Sequence, residues 1–184
     1  MVRFGVRIRG LRVSDLELIR AIEVRAGALF HAVGKSDIAE HPVPAAEELA
    51  RFVRSGMSWV AVGDDDALMG FVLVDVVDGL AHVEQVSIDP PYARRGIGSA
   101  LIDHVGSWAA GRGMEALTLT TFRGVPWNGP YYARLGFKEL SDAEWGPELT
   151  ELMADEARHG LDPAERVAMR REVAGDRPAA RLKA

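Results

Sequence analysis

The sequence of 184 residues contains no cysteine, which excludes disulfide bonds, thiolate metal ligands and a cysteine nucleophile. It has no apolar run near the roughly 20 residues that a membrane helix needs, and the opening segment MVRFGVRIRG lacks the apolar stretch of a signal peptide. A formal net charge of -5 argues against general binding to nucleic acid. We therefore expect a cytoplasmic protein that holds no metal and binds neither membranes nor nucleic acid.

Aromatic residues are scarce at 7%, but hydrophobic residues make up 48% of the chain, which is enough to bury a core. The simplest organisation is a single domain over residues 6–173. Residues 174–184 carry several charges at the end of the chain, and we expect them to form a flexible tail.

The spacing of apolar residues alternates between strand and helix periods along the chain. Turn residues at 63–66 and 77–79 separate three of the strands and predict an antiparallel meander. Segment 30–44 is predicted to be a loop. The predicted strands are 6–12, 58–62, 68–76, 80–88, 116–121 and 166–173, with a short one after Phe137, and the predicted helices begin near Ser14, Pro44, Ile97, Tyr131 and Leu149.

The segment P-P-Y-A-R-R-G-I-G-S lies between a predicted strand and a predicted helix. Backbone N–H groups at a helix N-terminus point in one direction and can hold an anion, and glycines let the backbone approach a pyrophosphate closely. Two arginines add positive charge. The residues that we assign to this phosphate-binding turn are Arg94, Arg95, Gly96, Ile97, Gly98 and Ser99.

Two other phosphate-binding motifs do not fit this turn. A dinucleotide-binding fold needs G-x-G-x-x-G in a parallel unit, but position 101 is leucine and the preceding strands form a meander. A Walker-type loop needs G-K-[ST], which is lacking. A nucleotide-binding enzyme that uses the same turn for NAD or ATP remains an alternative, which a titration with each ligand can test.

The stretch H-V-E-Q-V-S-I-D-P-P-Y-A-R-R-G-I-G-S-A-L-I, followed by Y-Y-A-R-L-G-F, resembles the GCN5-related N-acetyltransferase (GNAT) superfamily. The resemblance implies a mixed α/β fold with a largely antiparallel sheet of about seven strands flanked by helices, in which strands 4 and 5 splay apart. It also implies acetyl-CoA as co-substrate, with backbone groups of Val86, Ser87 and Ile88 pairing with the pantetheine arm. The family's turn, [QR]-x-x-G-x-[GA], is kept except at its first position, where Ala93 stands.

Acetyl transfer to an aliphatic amine requires a base, because such an amine has a pKa of about 10.4 and is protonated at neutral pH. His82 and Glu84 alternate along one face of the predicted fourth strand, just before the coenzyme-binding segment. The resemblance places the family's base at one of these two positions. Either residue, or water alone, remains open as the base.

The departing thiolate needs a donor, and the family's Y-x-x-x-G-F motif places its general acid at Tyr132. Tyr131 is rejected because adjacent helical residues point about 100° apart. Asn128 is predicted to cap the tyrosine-bearing helix. The family often has an asparagine that contacts the coenzyme, so Asn128 is also assigned to coenzyme binding, although it stands nearer the tyrosine than is usual.

The acceptor pocket is predicted from an aromatic and charged loop after the fifth strand and from the end of the first helix. The residues assigned to it are Phe122, Arg123, Trp127, Arg25 and Phe30. The expected function is direct transfer of the acetyl group to a primary amine, on a small molecule or a peptide. The alternative is a noncatalytic acyl-CoA sensor or interaction module, and a homodimer is compatible with either function.

Overall fold

The computed structural model of the protein describes residues 5–173, so the predicted flexible tail at 174–184 lies outside the described residues. Strands and helices alternate over this range much as the sequence predicts. The strands are β1 (Arg7–Gly10), β2 (Ser58–Val62), β3 (Leu68–Val77), β4 (Leu80–Ile88), β5 (Ala116–Phe122), β6 (Lys138–Glu139) and β7 (Arg166–Glu172). The helices are α1 (Leu16–Gly27), α2 (Ser36–Ala39), α3 (Ala46–Ser55), α4 (Ile97–Ala110), α5 (Gly129–Arg134) and α6 (Pro147–Arg158).

All seven of these strands form one sheet in the order β1-β2-β3-β4-β5-β7-β6. Only β4 and β5 run parallel, and every other neighbouring pair is antiparallel. The tight turn between β3 and β4 has positive φ at both Asp78 and Gly79, which matches the right-handed twist of the flanking strands. The predicted fold class, a mixed and largely antiparallel sheet flanked by helices, is confirmed.

Alternation along the strands divides the core between the two faces of the sheet. On one face, Val72 and Val74 of β3 and Leu117 of β5 pack with Leu101 and Val105 of α4. The opposite face carries α1 and α3, whose buried residues join the other side of β3 in a second cluster. The central members of that cluster are Ile19, Ile22, Leu49, Phe52, Phe71 and Leu73.

Segment 30–44, predicted as a loop, contains short helical turns. A 3₁₀ turn covers Ala28–Val33, and α2 adds a single turn before the chain reaches α3. Hydrophobic periodicity cannot detect elements of one turn, since they present only one or two residues to a core. None of the helices between residues 5 and 173 is long and apolar enough to cross a membrane.

Candidate active site

A cleft opens where β4 and β5 separate. The two strands pair only at Ala81 with Leu117 and at His82 with Thr118. Beyond this point β4 continues to Ile88 without pairing with β5. The other edge of β5 pairs with β7 along the whole length of β5. The separation leaves a cleft of about 1140 Å³, whose walls include Val86, Ser87 and Ile88.

Glu84 occupies a β-bulge at the edge of this cleft. In the ladder between β3 and β4, Leu73 pairs with Gln85 and Val74 pairs with Val83, so Glu84 is an extra residue with no partner opposite. A bulge of this kind bends the strand and redirects a side chain. Glu84 is exposed to the cleft and lines it. Enclosure by the cleft walls raises the pKa of its carboxyl group, mainly through desolvation.

Three charged groups around Glu84 also act on that pKa. The guanidinium of Arg51 lowers it, while the carboxylates of Asp75 and Glu156 raise it. Together these effects raise the pKa of Glu84. A higher pKa brings the carboxyl group closer to neutral pH, where a general base is most effective.

His82 does not reach the cleft. Its side chain is 1% exposed, and its Nδ1 lies 3.0 Å from Oγ1 of Thr118, at the last pair before the strands separate. Burial lowers the pKa of the imidazole to about 4, so the ring is neutral at physiological pH. Of the two candidate bases, only Glu84 lines the cleft, because His82 lies where β4 and β5 are still paired.

The two tyrosines of α5 take different positions. Tyr132 is 9% exposed, packs edge-on against Phe137 with ring centroids 5.7 Å apart, and lines the cleft. Burial raises the pKa of its hydroxyl group, and no group of the described residues hydrogen-bonds it. Tyr132 therefore offers the cleft a hydroxyl that stays protonated.

The phosphate-binding turn adopts left-handed backbone at two residues, with φ of 60° at Arg94 and 80° at Gly96. No atom lies within 4 Å of a Cβ built at Gly96, so this glycine faces open space. At Gly98 an added Cβ would lie 2.7 Å from the hydroxyl oxygen of Tyr131. The two glycines thus serve different needs: Gly96 leaves room beside the turn, and Gly98 makes room for a tyrosine.

Most of the turn lines the cleft. Arg94, Gly96, Ile97, Gly98 and Ser99 are all on its wall. Arg95 is not on that wall: its guanidinium donates to the carbonyl of Pro91 at 3.1 Å and lies over the ring of Tyr92. Of the two arginines, Arg94 is therefore the one that borders the cleft.

Asn128 lines the cleft with half of its amide satisfied. Its Nδ2 donates to Oγ1 of Thr121 at 2.8 Å, while its Oδ1 is buried and has no hydrogen-bond partner within residues 5–173. Asn128 occupies the N-cap position of α5, as predicted, but its side chain makes no capping bond to that helix. A buried carbonyl oxygen without a donor is costly, and it fits a ligand that brings an N–H group, as the amides of a pantetheine arm do.

Three aromatic rings form another part of the cleft wall. The centroid of Phe30 lies 5.7 Å from those of both Phe122 and Trp127, and all three residues line the cleft. The two predicted arginines lie elsewhere. Arg25 forms a two-pronged ion pair with Asp89, and Arg123 pairs with Glu139 on the sheet edge, so neither borders the cleft.

Several cleft residues have no signal in the sequence. Glu23 and Arg134 are charged residues on helices, and only the packing of those helices reveals that they face the cleft. His159 lies just after α6 and borders both this cleft and an adjoining cavity of about 230 Å³. That cavity shares Glu84 with the cleft and is walled by the ion pair of Glu156 with Arg166.

Solved structures of similar fold include acetyltransferases bound to coenzyme A. The PaiA N-acetyltransferase from Thermoplasma acidophilum, in complex with coenzyme A, superposes with a TM-score of 0.70 at 17% identity over 91% of this chain and 99% of that one. The ribosomal-protein-S18-alanine N-acetyltransferase from Escherichia coli gives 0.63 at 19% identity over 94% and 98%.

The N-acetylglutamate synthase from Neisseria gonorrhoeae, complexed with coenzyme A and N-acetyl-glutamate, gives a TM-score of 0.69 at 19% identity. The match covers 92% of this chain and 35% of that chain. Identities at this level show a shared fold. The sequence profile of the acetyltransferase (GNAT) family matches residues 28–137, which is more than half of the chain. On this match, the protein belongs to the GNAT acetyltransferase family.

Proposed function

We propose that the protein transfers the acetyl group of acetyl-CoA directly to a primary amine, with Glu84 as the general base and Tyr132 as the donor to the departing sulfur. The observation that carries this proposal is the cleft between β4 and β5. It brings the phosphate-binding turn, the unpaired edge of β4, a bulged carboxylate and a protonated tyrosine to the wall of one cavity.

The residues of the donor end fit coenzyme A. Arg94 and the N-terminal turn of α4 offer positive charge and N–H groups to a pyrophosphate. The free edge of β4 at residues 86–88 offers backbone groups to an extended arm. The unpartnered Oδ1 of Asn128 accepts from an amide N–H. Acetyl-CoA supplies the activated acetyl group as a thioester.

Glu84 serves the acceptor. An amine of pKa about 10.4 is unprotonated in only about one molecule in a few thousand at pH 7, so a base that removes its proton raises the reactive fraction. Glu84 takes the first proton of the ammonium group and passes it to solvent. As the neutral amine nitrogen then bonds to the acetyl carbon, the carbon–sulfur bond breaks, and the second proton leaves the nitrogen to Glu84 or water while the sulfur departs as a thiolate. The raised pKa of Glu84 brings its basicity closer to the working pH.

Tyr132 serves the leaving group. A thiol has a pKa of about 8.5, below that of a tyrosine hydroxyl, so complete transfer of the tyrosine proton to the sulfur is uphill by about 2 kcal/mol or more. Hydrogen-bond donation to the sulfur as its charge develops needs no such transfer. Burial raises the pKa of the Tyr132 hydroxyl, so this group is protonated at neutral pH.

The first test is a screen of amines with detection of released coenzyme A thiol. With an accepted amine, we expect Glu84→Gln to lower kcat by roughly 100-fold or more, since general base catalysis contributes about 10²–10⁴-fold. The acid limb of the kcat/KM profile, which in the wild type reflects Glu84 protonation above its usual pKa, should vanish in this variant. An unchanged acid limb would remove Glu84 from the mechanism.

The second test compares the neighbouring tyrosines. Tyr132→Phe should lower kcat while calorimetry shows that coenzyme A binding is retained. Tyr131→Phe, the matched control, should mainly raise KM for acetyl-CoA, because its hydroxyl lies against the first turn of α4. Equal kcat in wild type and Tyr132→Phe would contradict the donor role. Tight coenzyme A binding with no acetylation of any amine would instead favour the alternative function, a noncatalytic acyl-CoA sensor.

A further inference from the structure

Glu23, on α1, lines the cleft but is not used by the proposed chemistry. The side chain of Gln85 on β4 lies beside the Glu23 carboxyl group, whose pKa burial raises although Gln85 and Arg20 act to lower it. Oε2 of Glu23 is buried and has no hydrogen-bond partner among the described residues. Burial of a carboxylate oxygen without a donor is among the costlier arrangements in a folded protein, so this atom points to a ligand that brings a donor.

The cations of this face already have partners. Arg20 donates to the carbonyl of Pro44 and to Glu17, and Arg51 pairs with Asp75. The other three pairs that hold the surrounding elements together are Arg25 with Asp89, Arg166 with Glu156 and Lys35 with Glu165. Arg20 also acts on the charge of Glu23, but no side chain of the described residues donates a hydrogen bond to Oε2, which leaves that atom for a donor on a bound molecule.

Three glutamates line the cleft, Glu23, Glu40 and Glu84, and Glu23 and Glu84 lie on the same side of the sheet. Gln85 pairs with Leu73, whose side chain packs in the cluster beneath α1, so Gln85 and the neighbouring Glu23 lie on that face. Glu84 adjoins Gln85 and is influenced by Arg51 and Asp75, the α3–β3 ion pair of the same face. The acceptor end of the cleft is thus walled by a carboxylate from α1 and another from β4.

We propose that Glu23 binds a second cationic group of the acceptor, so that the acceptor is a diamine or another primary amine with a separate ammonium group. This inference rests on the proposed acetyl transfer: one ammonium reaches Glu84 and loses its proton, and the other stays charged against Glu23. The rings of Phe30, Phe122 and Trp127 supply an apolar wall against which the methylene linker of such an acceptor packs.

The test compares matched amines with one and two cationic groups: 1,4-diaminobutane against n-butylamine, and lysine amide against norleucine amide. In the wild type we expect kcat/KM to be about 10- to 100-fold higher for the dicationic member of each pair, as for a hydrogen bond to a charged partner. Glu23→Gln should reduce this preference to near one by raising KM for the dication, while kcat and the monoamine rates stay close to wild type.

Two controls separate a binding role from damage to the fold. Glu47→Gln removes an equal charge from an exposed position on α3, away from the cleft, and should keep the preference for dications. Calorimetric titration of Glu23→Gln with coenzyme A should give wild-type affinity, which shows that the cleft is intact.

The outcomes are distinct. Equal kcat/KM for the two members of each pair in the wild type would overturn the inference but leave the acetyltransferase proposal standing. An equal loss of kcat/KM for both members in Glu23→Gln would have the same meaning. Failure of the wild type to acetylate any amine, despite binding coenzyme A, would overturn the proposed function and this inference with it.

Discussion

Burial of His82 makes the stability of the protein depend on pH in a direction that can be worked out. The imidazole has its ordinary pKa of 6.5 when the chain is unfolded, and burial lowers the pKa to about 4 in the fold. Between these values the unfolded chain binds a proton that the folded protein does not. The free energy of unfolding therefore falls as the pH falls from 6.5 toward 4.

The size of this effect follows from the two pKa values. One pH unit corresponds to about 1.4 kcal/mol for a single group. Between pH 7.5 and pH 5 the His82 contribution should lower the free energy of unfolding by about 2 kcal/mol, and by about 3 kcal/mol near pH 4. Above pH 7 His82 causes almost no loss of stability, because its imidazole is mostly neutral in both the folded and the unfolded states.

Urea unfolding of wild type and His82→Gln, at several pH values from 7.5 to 5, measures this term. The variant is less stable at every pH, because it disturbs the contact with Thr118, but the stability difference between the two proteins should shrink by about 2 kcal/mol as the pH falls. His41→Gln, a change at an exposed position, should keep the wild-type slope. In the unaltered protein, NMR titration should find an imidazole that stays neutral at pH 5. A constant difference between the two proteins, or an imidazole that titrates near 6.5, would refute this reasoning.

Two further changes test contacts of β3 and of the turn after it. Gly70→Ala would place a Cβ 2.8 Å from the carbonyl oxygen of Ser87 on β4. We expect the free energy of unfolding, measured in urea, to fall by about 1–3 kcal/mol, and coenzyme A to bind more weakly in calorimetry. Unaltered affinity for coenzyme A would show that binding does not depend on the position of β4. Asp78→Ala removes the carboxylate that accepts from the backbone N–H of Leu149 at 2.9 Å, at the start of α6, and should lower stability by about 1 kcal/mol. A stability equal to that of the wild type would mean that solvent caps α6 as well.

The bounds of most elements could be predicted because their signals are local. The strands at 58–62 and 80–88 are observed as predicted, since each is an apolar run limited by turn residues. Gly56 ends α3 in left-handed backbone, as its position after the last periodic residue indicates. The short helical segments Ala28–Val33 and Ser36–Ala39 carry no buried residues, so they produce no hydrophobic period.

The site was only partly predictable. The turn at 94–99 and Tyr132 belong to short contiguous motifs, and the structure places most of that turn, together with the tyrosine, on one cleft. The aromatic residues Phe30, Phe122 and Trp127 also meet there. Arg25 and Arg123 do not, because each has a carboxylate partner brought to it by a distant part of the chain, which no local pattern reveals.

The sequence by itself determined the order of the elements, the meander and the phosphate-binding turn, because each depends on residues close together in the chain. Only the tertiary structure decided which of His82 and Glu84 lines the cleft. The sequence alternation treats the two alike, but Glu84 lies at a bulge beyond the last pair with β5 and lines the cleft, whereas pairing with β5 buries His82 against Thr118. The tertiary structure also brought Glu23 to the cleft, because the packing of α1 across β4 is a contact between segments about 60 residues apart.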